Sequence, residues 1–349
     1  MRKLKITSLL LLALFIAIVG CDRDVTERIY VNQTDDSECF TCHGDDGFLT
    51  QAQGEWANSI HAAGAYVDYT NREGRCTECH SHQGFLEFLE TGESSPTAFE
   101  QVSGINCFTC HSPHESGDLS LRTTAAVELA DGEIYDYNES NLCANCHKAR
   151  RDPSSIGDDF NVSSTHWGPH HGPQADMLNG TIGYEFDDYD YINTNHANAI
   201  EKVCITCHMG NPQQHNGFGV GGHSFTIEDE EGNSIAGVCE SCHSEAEDID
   251  WLADADYDHD GSVEGYQSEI DGLIDSLAVL LLAQGVLGGD AVDGYHPNAG
   301  IVDSAGVAGA LWNFIYIAIE DKSHGIHNFN YTQGLLQSSI DYVATQPVP

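Results

Sequence analysis

Cys39, Cys42 and His43 open a series of six Cys-x-x-Cys-His elements. The others are Cys76/Cys79/His80, Cys107/Cys110/His111, Cys143/Cys146/His147, Cys204/Cys207/His208 and Cys239/Cys242/His243. Two thiols three residues apart, with an imidazole directly after the second, suit covalent attachment of c-type haem. The thiols add across the two porphyrin vinyl groups, and the histidine becomes the proximal ligand of the iron. A zinc ribbon uses paired Cys-x-x-Cys units but gives no reason for a histidine after each second cysteine. A thioredoxin-like redox motif occurs once, beside a βαβ pattern that is missing here. A disulfide framework would also leave six repeated histidines unexplained. The expected cofactors are six covalently bound haem c groups.

The chain has 13 cysteines, and twelve belong to these elements. The thirteenth, Cys21, follows Arg2, Lys3, Lys5 and an apolar run from Leu9 to Val19. Residues 1–20 therefore read as a signal peptide, too short to favour a membrane span. Ile18-Val19-Gly20-Cys21 reads as a lipobox, which makes Cys21 the lipidation site and gives the protein a stable anchor. Ordinary signal cleavage with a free thiol is the competing reading. Export also fits the chemistry, because haem c is attached outside the cytoplasm. The expected location is exported and lipid-anchored to the inner or outer membrane, on the periplasmic or cell-surface face. Asp22 bears on the choice of membrane without fixing it.

With 13 basic and 55 acidic residues the net charge is −42. Removing residues 1–20 leaves 10 basic residues against 55 acidic ones, a net −45. That surface excludes nucleic acid as a partner and suits basic proteins, cations or positively charged minerals. It serves equally as a solubility or high-salt adaptation.

Second axial ligands decide what haem irons do. Two histidines close the iron for electron transfer, whereas an open face can bind substrate. Of 19 histidines, 13 are not proximal. Methionine is scarce: apart from Met1 there are Met177 and Met209. Six distal candidates stand out. They are His61 in a helical stretch, His114 too close to cap its own haem, His171 of the pair His170–His171, His196, His223 and His327. One of His170 and His171 is expected to ligate and the other to hydrogen-bond. His82, His166, His215, His259, His296 and His324 rank below them.

Cys-His-Ser-Pro-His, His-His-Gly-Pro-Gln-Ala-Asp-Met-Leu, Gly-Gly-His-Ser-Phe and Gly-Ile-His-Asn-Phe-Asn-Tyr-Thr-Gln-Gly-Leu-Leu together resemble multihaem cytochromes c. The relatives in question are those akin to pentahaem nitrite reductase and the octahaem enzymes. The resemblance covers most of residues 39–345 and implies tightly packed haem pairs, distal histidines in these elements and long C-terminal helices. Pentahaem nitrite reductase carries its catalytic haem on Cys-x-x-Cys-Lys, which this chain lacks, so the resemblance does not extend to that chemistry.

The elements that must position these groups are short. The motifs begin at 39, 76, 107, 143, 204 and 239, so four of the five intervals are 31–37 residues and the exception holds a histidine-rich insert. About 55 residues per haem leave the porphyrins to supply much of the core. The expected fold is mostly α with extensive irregular loop. A haem-binding region spans 21–250, with each motif at the end of a short helix and one strand candidate at Gly222–Ile227. Residues 251–349 complete it. Asp256, Asp258 and Asp260 before Gly261 start a calcium-type loop, with Gln267 at its twelfth position and Glu264 or Glu269 as substitutes. Ile270, Leu273, Ile274, Leu277, Leu280 and Leu281 then keep helical spacing. Further helices are expected over Val307–Asp321 and Tyr331–Ala344, with a loop over Gly294–Gly300. These helices suit a core or a subunit interface rather than a membrane segment, and as an interface they would join copies of the chain into a homo-oligomer.

The function expected is electron relay along six bis-histidine haems, between a membrane or periplasmic donor (quinol-linked or another cytochrome) and a downstream or extracellular acceptor. Two alternatives stay open. One is a reductase of a small nitrogen or sulfur oxyanion at a single open haem, and the other is an extracellular filament.

Overall fold

The computed structural model describes residues 48–349 except 65, 66, 68, 69, 71–75, 95–98, 100, 212–218, 230, 231 and 245–247. The expected signal peptide, Cys21, the first motif (Cys39, Cys42, His43) and His215 lie outside the described residues.

Short helices carry the motif-bearing part. α1 spans Phe48–Ala57 and α2 Ile60–Ala63. α3 spans Thr77–His80, α4 His82–Thr91, α5 Cys107–Cys110 and α6 Pro113–Ser116. α7 spans Asn141–Ala144, α8 Gln174–Asn179, α9 His196–Ala199 and α10 Val203–His208. Local chemistry explains several starts. Ser59 caps α2 by accepting the Ala62 N–H, Ser81 caps α4 by accepting from Gly84, and Asn106 closes a capping box with Thr109 on α5.

Strands are two or three residues long and pair antiparallel. β1 (Val127–Glu128) meets β2 (Ile134–Tyr135), β3 (Phe160–Val162) meets β6 (Gly300–Val302), and β4 (Leu287–Gly288) meets β5 (His296–Pro297). The expected loop over Gly294–Gly300 thus contributes to two small pairs, a local one with β4 and a long-range one with β3. Gly222–Ile227 is not a strand. It contains a 3₁₀ turn over Gly222–Ser224, with positive φ at Gly221 (76°) just before it, at Gly222 (55°) within it and at Phe225 (60°) just after it. Such φ values cannot continue a pleated strand. They fold His223 back toward α1, where its N–H donates to Glu55 Oε2 at 2.9 Å.

The three C-terminal helices each pack against the other two. α11 spans Tyr266–Ala283, α12 Ala305–Phe314 continuing as a π-helix over Ile315–Asp321, and α13 Phe329–Ala344. On α11 the buried positions Ile270, Leu273, Leu277 and Leu281 follow the three-four spacing of one helix face. Two glycines of α12 permit close approach: a Cβ at Gly306 would sit 2.3 Å from the Tyr342 ring, and one at Gly309 2.2 Å from that of Tyr184. Trp312 closes the core against Trp167, ring centroids 5.4 Å apart, and donates Nε1–H to the Ile182 carbonyl at 2.7 Å. Asn328 Nδ2 reaches the Met177 carbonyl at 3.1 Å, and Asn313 Nδ2 reaches Tyr184 O at 2.9 Å. The histidine-rich insert is thereby stapled onto the C-terminal helices.

Core residues are unevenly spread. Each fully buried large aliphatic or aromatic side chain contributes about 1.5–3 kcal/mol, and the principal cluster draws most of these from residues 270–343. Between residues 48 and 126, Phe85 is the one buried apolar side chain among the described residues. Residues Asp46–Pro349 nonetheless form a single compact unit. No described helix is long and apolar enough to cross a membrane.

Candidate functional site

Each described motif is built on one helical turn. The backbone N–H of the histidine donates to the carbonyl of the first cysteine in four of them: His80 to Cys76 (3.0 Å), His111 to Cys107 (3.0 Å), His147 to Cys143 (2.9 Å) and His243 to Cys239 (2.8 Å). His208 ends α10, which contains its whole motif. Residues i, i+3 and i+4 share a helix face. Two thiols and an imidazole therefore project together, as attachment to one flat ligand demands.

The sixth motif departs from the expectation that every motif ends a short helix. Cys239 and Cys242 lie on turns that follow a 3₁₀ turn over Ala236–Val238. Cys242 is exposed, with Ser241 Oγ 3.7 Å from its Sγ. The cause is local: its neighbours Glu240, Ser241 and Ser244 are polar and exposed themselves, so no apolar packing encloses the thiol. His243 beside it is held instead by its ring, tilted against Trp251 at 4.7 Å. Cys107 is also exposed, at the start of α5 next to the exposed Phe108, while the other described motif cysteines are half-buried.

The fold then sets other histidines opposite these. His61 faces His147 with ring centroids 6.0 Å apart, His223 faces His111 at 6.4 Å, His327 faces His208 at 6.2 Å and His196 faces His243 at 6.2 Å. Interplanar angles are 86°, 48°, 48° and 88° respectively. His80 lies within electrostatic range of His170 and His171, whose rings are 5.0 Å apart. His114, on α6, is tilted over Phe108 at 5.8 Å.

Many of these rings spend Nδ1 on a neighbour. His111 Nδ1 pairs with Leu119 O (2.7 Å), His147 with Gln174 Oε1 (3.0 Å), His196 with Ile326 O (3.0 Å) and His208 with Phe225 O (2.9 Å). His171 Nδ1 meets Glu320 Oε2 at 2.6 Å, and His327 Nδ1 meets Asp321 Oδ1 at 2.7 Å. An Nδ1–H engaged in this way fixes the tautomer and leaves Nε2 as the lone-pair donor.

Burial sets the charge. It pushes His61 and His208 down to about 4, helped by the neighbouring histidines, so both rings are neutral at pH 7. His170 is pushed down to about 3 by burial and Arg150. Metal ligation requires this neutral form. The Glu320 hydrogen bond raises His171. At His327 burial opposes charge, but Asp321 outweighs it and the pKa is raised. Burial also lifts the Cys110 and Cys207 thiols to about 11.

The motifs cluster out of sequence order. Cys79 and Cys146 are hydrogen-bonding neighbours, as are Cys143 and Cys204, while Cys207 lies near Cys239. The buried Tyr135 hydroxyl is 3.1 Å from Cys204 Sγ.

The lower-ranked histidines have other contacts: His82 Nδ1 lies 3.0 Å from Thr109 Oγ1, and His324 Nδ1 2.5 Å from Asp271. Met177 is buried in the core, where it receives a hydrogen bond from Thr332. Gln174, Glu320, Asp321, Glu55 and Tyr135 were not candidates from sequence. Acidic residues at 320 and 321 end a helix, where the dipole disfavours them, and that was the available signal.

A second cluster lies before α11. Carboxylate oxygens of Asp256, Asp258 and Asp260 all lie within 4.8 Å of one another, and Asp256 Oδ1 is buried without a hydrogen-bond partner. Gly261 turns the loop at φ 99°. Glu269 holds the loop from below, accepting from Tyr257 N (2.7 Å), Asp258 N (3.1 Å) and Glu264 N (2.9 Å).

No protein-family model and no solved structure matches the chain. It is similar to the C-type polyheme cytochrome OmcC of Geobacter sulfurreducens, 24% identical over 79% of this chain. The match covers 43% of that relative, so the chain spans less than half its length. Six Cys-x-x-Cys-His elements and this similarity together support a multihaem c-type cytochrome.

Proposed function

We propose that the chain is an exported cytochrome with six covalently attached haems, each held between two imidazoles, that relays electrons between redox partner proteins. The observation that carries this is the set of four opposed imidazole pairs at 6.0–6.4 Å. Two imidazoles bonded at roughly 2 Å to opposite faces of one metal, each ring centre roughly 1 Å beyond its nitrogen, are spaced by about 6 Å. The near-absence of buried apolar side chains among the described residues from 48 to 126 also fits porphyrins as core.

The axial pairs we assign are His111 with His223, His147 with His61, His208 with His327 and His243 with His196. His80 is served by His171, with His170 beside it. With six distal candidates for six irons, His114 falls to the first haem. The haems supply the reversible electron. The chain's own residues fix each porphyrin by two thioethers, close both iron faces with neutral imidazoles and orient the rings through Nδ1. The exposed Cys242 keeps its attachment role in this reading, which puts one edge of the sixth haem toward solvent. Contacts between the second and fourth, and between the fourth and fifth, attachment sites make the fourth motif a junction. Haems held at these residues would be linked second to fourth to fifth to sixth rather than in sequence order.

Cys21 would anchor the protein by lipid, and Asp256, Asp258 and Asp260 would bind calcium. Low-temperature EPR of the oxidised protein, counted against pyridine haemochrome, tests the main claim. Six haems, all low-spin, are expected, with one iron becoming high-spin in His61→Ala. A high-spin iron per molecule in the unmodified protein would reject electron carriage alone and favour a catalytic haem.

A further inference from the structure

Glu320 and Asp321 are the last two residues of the π-helix, a form rare in helices and frequent at functional sites. Both side chains are buried, at 8% and 1% exposure. Successive helix residues point in different directions around the axis, and these neighbours reach rings in two different places. Glu320 takes the His171 Nδ1 and Asp321 the His327 Nδ1. The same turn is tied to a third ring: Gln174 Nε2 donates to Glu320 O (3.0 Å) and Asp321 O (3.4 Å), while Gln174 Oε1 faces His147 Nδ1. Ser323 N donates to Asp321 Oδ2 at 3.2 Å, and left-handed Lys322 (φ 57°) ends the helix.

The acceptors at four other rings are neutral: backbone carbonyls at His111, His196 and His208, and an amide at His147. His223 is intermediate. Its Nδ1 is 3.6 Å from Glu55, beyond hydrogen-bond range, and the Glu55 oxygens are engaged by His223 N and Gln51 Nε2. Two carboxylates at a helix C-terminus oppose the dipole, so helix stability does not account for them. A carboxylate acceptor makes an imidazole a stronger donor to its metal and adds negative charge beside it, favouring the more positive, oxidised iron.

We propose that Glu320 and Asp321 are positioning residues that lower the reduction potentials of the haems ligated by His171 and His327 relative to those whose rings donate to neutral acceptors. The proposal rests on the bis-imidazole reading above.

Spectroelectrochemical titration of the full-length holoprotein tests it, with Asp321→Asn and Glu320→Gln. Each amide keeps the acceptor oxygen and removes the charge. In each variant one haem should become easier to reduce by about tenfold in its reduced-to-oxidised ratio, 59 mV for one electron. Haem count and low-spin EPR should not change. A titration superimposable on that of the unmodified protein, with EPR still low-spin, overturns the proposal. Gln174→Glu is the converse variant: it puts a carboxylate on His147 and should make one haem harder to reduce. It decides the matter should Asp321→Asn fail to retain haem, since an unmoved titration there also overturns the proposal. High-spin iron in the unmodified protein would instead refute the axial assignments, so the two failures differ.

Discussion

At the scale of single side chains, burial shifts protonation. His61 and His208 keep their lone pairs because burial among other imidazoles excludes a second proton. Asp176 shows the same force on an acid. It is fully buried on α8, its Oδ2 accepts the Ala149 N–H at 2.7 Å, and its Oδ1 has no partner. Burial lifts its carboxyl from 3.8 to about 6. The folded pKa thus exceeds the unfolded one. The carboxyl is protonated in both states below pH 4 and costs nothing there. A penalty grows as pH rises toward 6 and is complete above it. Asp176→Asn should therefore stabilise the protein at pH 7 by on the order of 1–3 kcal/mol, with the gain vanishing at pH 4. Thermal unfolding at both pH values measures this, and an equal gain at each would contradict it. Nothing in the sequence around Asp176 announces its burial, because the groups around it, Ala149 and Tyr316 among them, lie far away along the chain.

Among the elements, the loop before α11 and the helix itself form one unit. Glu269, 1% exposed in the first turn, gathers three loop amides. That leaves Asp256, Asp258 and Asp260 facing each other, and burial together with the neighbouring carboxylates raises Asp258. A hard divalent cation relieves such crowding with oxygen ligands. Calcium should raise the unfolding temperature and a chelator lower it, with a gain of about 2.7 kcal/mol at a hundredfold excess over Kd. Asp258→Asn should blunt the response. An unfolding temperature indifferent to millimolar calcium would rule the site out. Helix positions here were legible in sequence. The spacing from Ile270 to Leu281 marks α11, and the expected spans Val307–Asp321 and Tyr331–Ala344 differ from the observed helices by two residues at their starts. Gly222–Ile227 was misread because alternation of side chains is blind to φ. Three residues at positive φ turned that segment into a bend.

Across the whole molecule, charge dominates. At −42, encounter with a basic redox partner is steered at long range, and salt removes that steering because the screening length falls from about 30 Å at 0.01 M to about 10 Å at 0.1 M. Stopped-flow electron exchange with a basic small cytochrome should slow tenfold or more between these ionic strengths. A rate independent of salt would show that the surface charge serves solubility alone.

Attachment chemistry was determined by the sequence, since two thiols and an imidazole within one helical turn need no distant partner. The same holds for the acidic surface, which is additive, and for the C-terminal helices, whose periodicity is local. Only the tertiary structure decided which histidines face one another, that motifs two, four and five meet, that Cys107 and Cys242 stay exposed where the other described motif thiols are half-buried, and that Glu320 and Asp321 stand behind two rings. His61 and His147, or His171 and Glu320, are far apart along the chain. Their meeting depends on tertiary packing, and no spacing rule in one dimension encodes that.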